Sequence, residues 1–279
     1  MTKKLLLLAA VLTAAIAPSI AQQKTQADVA PEDISPDSTT TCNKTFTSGS
    51  GSNYLKFCVT QNGNITQYES PQGFEAIDEG VVWEGYGICD TSSGIRYEDY
   101  AATGTTNWLP PTISGGSLPM TIKRTTSDGI WTLTQVINRN TTDPAVTISN
   151  TLKNNTGVAR FVGFIRYADI DANNANGGTF DNYFGYDHES AWGYNPPTSL
   201  SSIPPPSSTN RFGVMIYANP TSQPHWAFAQ NVPGGPDPCV PNTHLSTPSF
   251  FGDGSVAVEW AVTIDGGQSA KFANEYRRF

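Results

Sequence analysis

Residues 131–138, WTLTQVIN, set Trp131, Leu133 and Ile137 against Thr132 and Thr134, so apolar and polar side chains take turns. A strand sends successive side chains to opposite faces, and this alternation predicts a half-buried β-strand. Residues 145–154, AVTISNTLKN, repeat the pattern with Val146, Ile148 and Leu152. Residues 256–264, VAVEWAVTI, do the same with Val256, Val258, Trp260, Val262 and Ile264. LKFCVTQ, residues 55–61, is joined by Asn62-Gly63 to NITQYES. Asn-Gly suits the two positive φ angles of a type I′ turn. The spacing predicts a hairpin with Val59 opposite Thr66 and Phe57 opposite Tyr68, and Phe57, Val59 and Tyr68 on a buried face. No window carries a helical period with caps at both ends; FEAIDEGVVW, residues 74–83, comes nearest and is short. The expected fold class is all-β, a large antiparallel β-sandwich. Proline- and glycine-rich segments such as NPPTSLSSIPPPSS, residues 195–208, form its long loops.

The N-terminus bounds where such a sandwich works. Lys3 and Lys4 precede an apolar run from Leu5 to Ala17, then Ser19-Ile20-Ala21. That order predicts a signal peptide over residues 1–21 and a secreted protein, periplasmic or extracellular. Residues 22–41 are polar and proline-spotted and predict a flexible leader. Residues 42–279 are then a single β-sandwich domain, with no integral membrane segment after cleavage. Loss of Lys3 and Lys4 leaves 24 acids against 14 bases, a net charge of −10. Without a basic stripe, nucleic acid is not an expected partner. The four cysteines have no CxxC pair, and the three histidines lie elsewhere, so disulfides are expected rather than zinc. Cys42–Cys58 and Cys89–Cys239 is the favoured pairing among three.

Residues 121–157, TIKRTTSDGIWTLTQVINRNTTDPAVTISNTLKNNTG, are echoed by VEWAVTIDGGQSAKF at 258–272. This strand–turn grammar resembles the galactose-mutarotase-like β-supersandwich folds of carbohydrate-processing proteins, over roughly residues 118–170 and 255–272. The resemblance implies a fold. Aldose epimerases of that group use a mid-chain histidine and a late glutamate. Here His188, His225, His244 and Glu259 match no epimerase motif, so no catalytic residue carries over.

Three stretches hold candidate chemistry. RYADIDANN, residues 166–174, puts Asp169 and Asp171 on the same side of a strand, with Asn173 following. Side-chain oxygens at alternate positions suit Ca²⁺, although Asn174 and Phe180 depart from the EF-hand pattern. The same two aspartates could instead act as a glycosidase pair. So could acids of the run 69–90, where Glu79 and Glu84 stand out. NYFGYDHESAWGYN, residues 182–195, gathers Tyr183, Tyr186, Asp187, His188, Glu189, Trp192 and Tyr194. Aromatic faces and carboxylates together suit a sugar ring and its hydroxyls, with Trp83, Tyr86 and Trp108 as further contacts. His225 is expected to be structural, and no GxSxG nucleophile motif occurs. The function expected is non-catalytic engagement of carbohydrate. A glycan-active hydrolase and a structural or adhesive envelope protein are the alternatives.

Overall fold

The computed structural model describes residues 41–77, 84–140, 142–172, 181–195, 212–219, 223–231, 236–240 and 249–278. Residues 1–40, which carry the expected signal peptide and most of the leader, lie outside them. Among the described residues the fold is all-β, in three antiparallel sheets. β1 (Cys42–Ser48), β2 (Leu55–Thr60) and β3 (Ile65–Glu69) make a small sheet. β4 (Glu84–Asp90), β5 (Ile95–Tyr100) and β6 (Gly104–Thr106) begin a six-stranded layer. β7 (Thr112–Ser114), β8 (Met120–Thr125), β9 (Trp131–Asn140) and β10 (Ala145–Asn154) begin a nine-stranded layer. From there the chain moves back and forth. β11 (Arg160–Asp169), β15 (His225–Gln230) and β17 (Ser255–Ile264) join the six-stranded layer. β12 (Asn182–Tyr186), β13 (Ser190–Tyr194), β14 (Gly213–Ala218), β16 (Ser249–Gly252) and β18 (Ser269–Arg278) join the nine-stranded one. The orders are β15-β17-β11-β4-β5-β6 and β16-β12-β13-β14-β18-β10-β9-β8-β7.

The core lies between the two large layers and uses the side chains that the alternation marked. Trp131, Leu133 and Ile137 on β9, Val146, Ile148 and Leu152 on β10, and Val256, Val258, Trp260 and Ile264 on β17 are all buried together. Each large apolar side chain so buried contributes about 1.5–3 kcal/mol. Phe164 and Phe272 stack between the layers at 5.1 Å, and Trp260 packs 5.6 Å from Phe272. Both expected disulfides form, Cys42–Cys58 across the β1–β2 pair and Cys89–Cys239 across 150 residues of chain. Native disulfides typically contribute about 2–4 kcal/mol, mainly by restricting the unfolded chain.

The β2–β3 hairpin departs from expectation at its tip. Phe57 does face Tyr68, but Val59 faces Ile65 across a bulge, and Asn62 does not take positive φ; Gly63 alone does, at 94°. The reason is that the tip is buried in the sandwich, where its polar groups satisfy core ions. Arg166 Nη2 donates to Gly63 O at 3.0 Å, and Tyr86 Oη and Gln135 Nε2 donate to Asn62 O at 2.9 and 3.2 Å. Asn62 Nδ2 donates to Asp99 Oδ2 at 2.9 Å, and Asp99 is in turn paired with Arg124. A buried charge needs such donors and acceptors on every side.

Candidate functional site

Glu84, Tyr86 and Trp108 belong to this interior network and not to a binding loop. Glu84 is fully buried; its Oε1 accepts from Arg166 Nε at 2.7 Å and Tyr276 Oη at 2.8 Å, and its Oε2 from Ile65 N at 2.6 Å. Burial pushes its carboxyl up to about 6 against the pull of Arg166. Fully buried and bound by Arg166, Tyr276 and the Ile65 amide, the carboxylate is closed off from a substrate. Tyr86 and Trp108 pack edge-on at 5.8 Å, and the Arg124 guanidinium lies over the indole at 5.1 Å. Glu79, Trp83 and Asn173 lie outside the described residues.

Asp169 and Asp171 do share the outer face of the six-stranded layer, with Ile165 and Tyr167, while Arg166 turns inward. They are joined by Asp253, which sits in the Gly-Asp-Gly turn between β16 and β17. Asp169 pairs in register with Ser255, and Ile170 N donates to Gly254 O at 3.4 Å, so the two chain turns are fixed side by side. One carboxylate oxygen from each of the three aspartates lies within 4.8 Å of the others, and all three are buried. The donor set is all oxygen, which fits Ca²⁺ and not a softer metal.

The segment 182–195 divides between two faces of the nine-stranded layer. Phe184 and Ala191 enter the core, and Tyr186 packs against it. Tyr183 and Tyr194 face outward but are buried against each other and Phe251, at ring distances of 5.7 and 4.9 Å. Asp187 caps its own turn, accepting from the Glu189 and Ser190 amides at 2.9 and 2.7 Å. Trp192 is half-buried on the outer face. It lies opposite Gly185, where a Cβ would meet three indole atoms at 2.8 Å, so only glycine leaves room for the ring. Register continues the row from Trp192 to Met215 and Arg277. In the next row Tyr217 lies beneath the Arg277 guanidinium, at 5.5 Å, and Arg277 Nη1 donates to Glu275 at 2.9 Å. An aromatic patch edged by a charged pair therefore lies on a rigid sheet, whereas the sequence suggested a loop. His188 and Glu189 stand at its rim and face His225.

No family model and no curated protein matches the chain. Solved structures do. A bacterial glucoamylase complexed with acarbose is similar at TM-score 0.56 and 11% identity, over 87% of this chain and 33% of that one. A Klebsiella pneumoniae structure assigned by name to the aldose 1-epimerases is similar at TM-score 0.39 and 9% identity, over 80% of this chain and 76% of that one. The fold-level resemblance to carbohydrate-processing proteins read from the sequence agrees with the likeness to the glucoamylase. Only the glucoamylase value exceeds 0.5, and at that identity it shows the fold alone. The chain spans about a third of that enzyme's length.

Sequence reasoning missed Asp253, Tyr217 and Arg277, because each reaches its site through strand order and not through neighbours in the chain. Glu259, read in the sequence as matching no epimerase motif, is 3% exposed on the outer face of β17, and its carboxyl makes neither a hydrogen bond nor an ion pair among the described residues. The alternation of VAVEWAVTI offered a signal: Glu259 shares its strand face with Ala257 and Ala261, which is not the composition of a wet surface.

Proposed function

We propose that the protein is an exported carbohydrate-engaging β-sandwich whose contact surface is the outer face of the nine-stranded layer around Trp192. The observation that carries this reading is the half-buried indole seated on Gly185, with Arg277 in its own row and Tyr217 and Glu275 in the next. An apolar ring face beside fixed donors and acceptors matches the two-sided chemistry of a sugar. Carbohydrate-active names among structures of like fold support the same direction. Export is supported by the signal-like N-terminus and by two disulfides, which persist in oxidising compartments. No described helix is long and apolar enough to cross a membrane.

The test is retention on a panel of insoluble and soluble polysaccharides, with acarbose as a competitor and reducing ends measured in parallel. Truncating a central interface tryptophan typically costs about 2 kcal/mol or more, so Trp192→Ala should weaken binding by about thirtyfold. Equal retention of parent and variant, or no retention across the panel, would remove the reading. New reducing ends would replace it with the hydrolase.

The proposal includes Ca²⁺ held by Asp169, Asp171 and Asp253. Three ionised carboxylates this close repel one another and a bound cation relieves that repulsion, and a ligand of the native state raises its melting temperature. Millimolar Ca²⁺ should raise the midpoint of chelator-treated protein, and Asp253→Asn should reduce that rise. A midpoint indifferent to Ca²⁺ would exclude the ion.

A further inference from the structure

We propose that His188, Glu189 and His225 form a second metal site, with a donor set that suits Zn²⁺. The three residues come from different layers. His188 and Glu189 lie in the turn between β12 and β13 of the nine-stranded layer, and His225 opens β15 at the edge of the six-stranded one. Ala227 N donates to His188 O at 3.2 Å and Ala218 N to Glu189 O at 2.8 Å, so backbone bonds hold the turn against both layers. One donor atom from each side chain lies within 4.8 Å of the other two.

Hydrogen-bond chemistry at His225 gives the stronger argument. Its Nδ1 lies 3.0 Å from the carbonyl oxygen of Gln223. A carbonyl only accepts, so Nδ1 carries the proton. In the neutral ring Nε2 then presents a lone pair, and that lone pair points at Glu189 Oε2, an acceptor, 2.8 Å away. Two acceptors face each other unless the ring is doubly protonated or a cation lies between them. An Nδ1–H held by a backbone carbonyl, with Nε2 free to ligate, is the outer hydrogen bond that metal-binding histidines usually make. The second imidazole decides between the two. His188 Nδ1 approaches the other carboxylate oxygen, Oε1, at 3.1 Å, although the His188 side chain is 71% exposed. An exposed pair of this kind contributes about 0–1 kcal/mol and does not by itself hold a side chain. A shared ion gives it a reason to converge.

Two imidazoles and one carboxylate suit Zn²⁺ and exclude Ca²⁺, which takes oxygen ligands. At about 2.0–2.1 Å per bond, neighbouring ligands on a tetrahedral ion lie roughly 3.4 Å apart. The measured contacts, 2.8 Å to Oε2 and 3.1 Å to Oε1, are shorter than that spacing, so an ion would widen both, and the exposed His188 ring has room to move. Three protein ligands leave the fourth position to water or to an incoming ligand. The ion would also fasten the β12–β13 turn to the edge strand β15. The site is independent of the carbohydrate reading, since neither Trp192 nor Tyr217 enters it.

The experiment is calorimetric titration of Zn²⁺ into chelator-treated, dialysed full chain at pH 7.5, with millimolar Ca²⁺ present to occupy oxygen-only sites. One saturable equivalent is expected, with a rise in melting temperature. Loss even of an outer partner typically weakens a metal site about 10–100-fold. His188→Ala and Glu189→Gln should therefore weaken binding at least tenfold. The ring protons of His188 and His225 should shift together in proton NMR spectra as Zn²⁺ is added. His225→Gln is the more demanding variant because its side chain is only 9% exposed. His188→Ala keeps the test valid if that protein fails to fold. Absence of saturable binding up to millimolar Zn²⁺ would overturn the proposal, leaving His225 and Glu189 as a polar contact alone. Binding unchanged in both His188→Ala and Glu189→Gln would overturn it equally.

Discussion

Replacing Arg166 with methionine should cost about 3–5 kcal/mol, the penalty for leaving a buried charge without its partner. That is a large share of the roughly 5–15 kcal/mol that holds a domain together. The guanidinium is completely buried, and its bonds run to Glu84, to Gln135 Oε1 at 2.9 Å and to Gly63 O at 3.0 Å. Without it, the Glu84 carboxylate remains in the core with Tyr276 and the Ile65 amide as its only donors of those described above. The tip of the β2–β3 hairpin loses the cation that draws it inward. Urea unfolding should show the full loss in Arg166→Met. It should show partial recovery in Arg166→Met with Glu84→Gln, because the second change removes the stranded charge. A single variant within about 1 kcal/mol of the parent would mean that the network is not the keystone of the core.

Stability should also fall as the solution becomes alkaline, and Glu259 should cause most of the fall. Burial on the outer face of β17 pushes its carboxyl up to about 8 from an ordinary value of 4.5. The folded protein therefore holds this proton more tightly than the unfolded chain does. The stabilisation is complete below pH 4.5 and is lost as pH rises through 8. At 1.36 kcal/mol per pH unit the full loss is about 5 kcal/mol, of which about 3 is already gone at pH 7. Glu259→Gln, which cannot ionise, should be less stable than or equal to the parent at pH 4.5 and clearly more stable at pH 9. Urea midpoints at pH 5, 7 and 9 measure the slope. A parent flat across that range, or a variant with the parent's slope, would show that the carboxyl is hydrated.

How much of this was readable from the chain depends on whether burial leaves a period. β9 and β10 each bury a single large apolar row, and β17 sets its large apolar row opposite small and polar residues, so Trp131, Ile148 and Trp260 announced their faces. The acidic end of β11 was legible from strand parity alone, since Asp169 falls on the side away from Phe164, although both faces of the strand are buried. β4 was not legible. All seven of its residues, EGYGICD, are buried, and its glycines and acid resemble a loop. Asn62-Gly63 resembled a surface turn because nothing in the sequence says that Arg166 and Asp99 need its carbonyl and amide. The aspartate trio and the histidine pair depend on contacts across 84 residues (Asp169 to Asp253) and 37 residues (His188 to His225). Such contacts are decided by strand order. The tyrosines at 183 and 194 were legible as an aromatic grouping, but not as rings buried against each other and Phe251.

The shuttling of the chain between its two large layers has a kinetic consequence. Neighbouring strands such as β10 and β18, or β4 and β11, are far apart in sequence, and no contiguous segment contains either layer. Neither sheet can form ahead of the other, because each waits for strands that are supplied through its opposite number. Such non-local topologies acquire structure in milliseconds to seconds or longer, and their unpaired edges stay open meanwhile. Nicked or truncated chains should yield no autonomous half, and refolding yield should decline steeply as protein concentration rises.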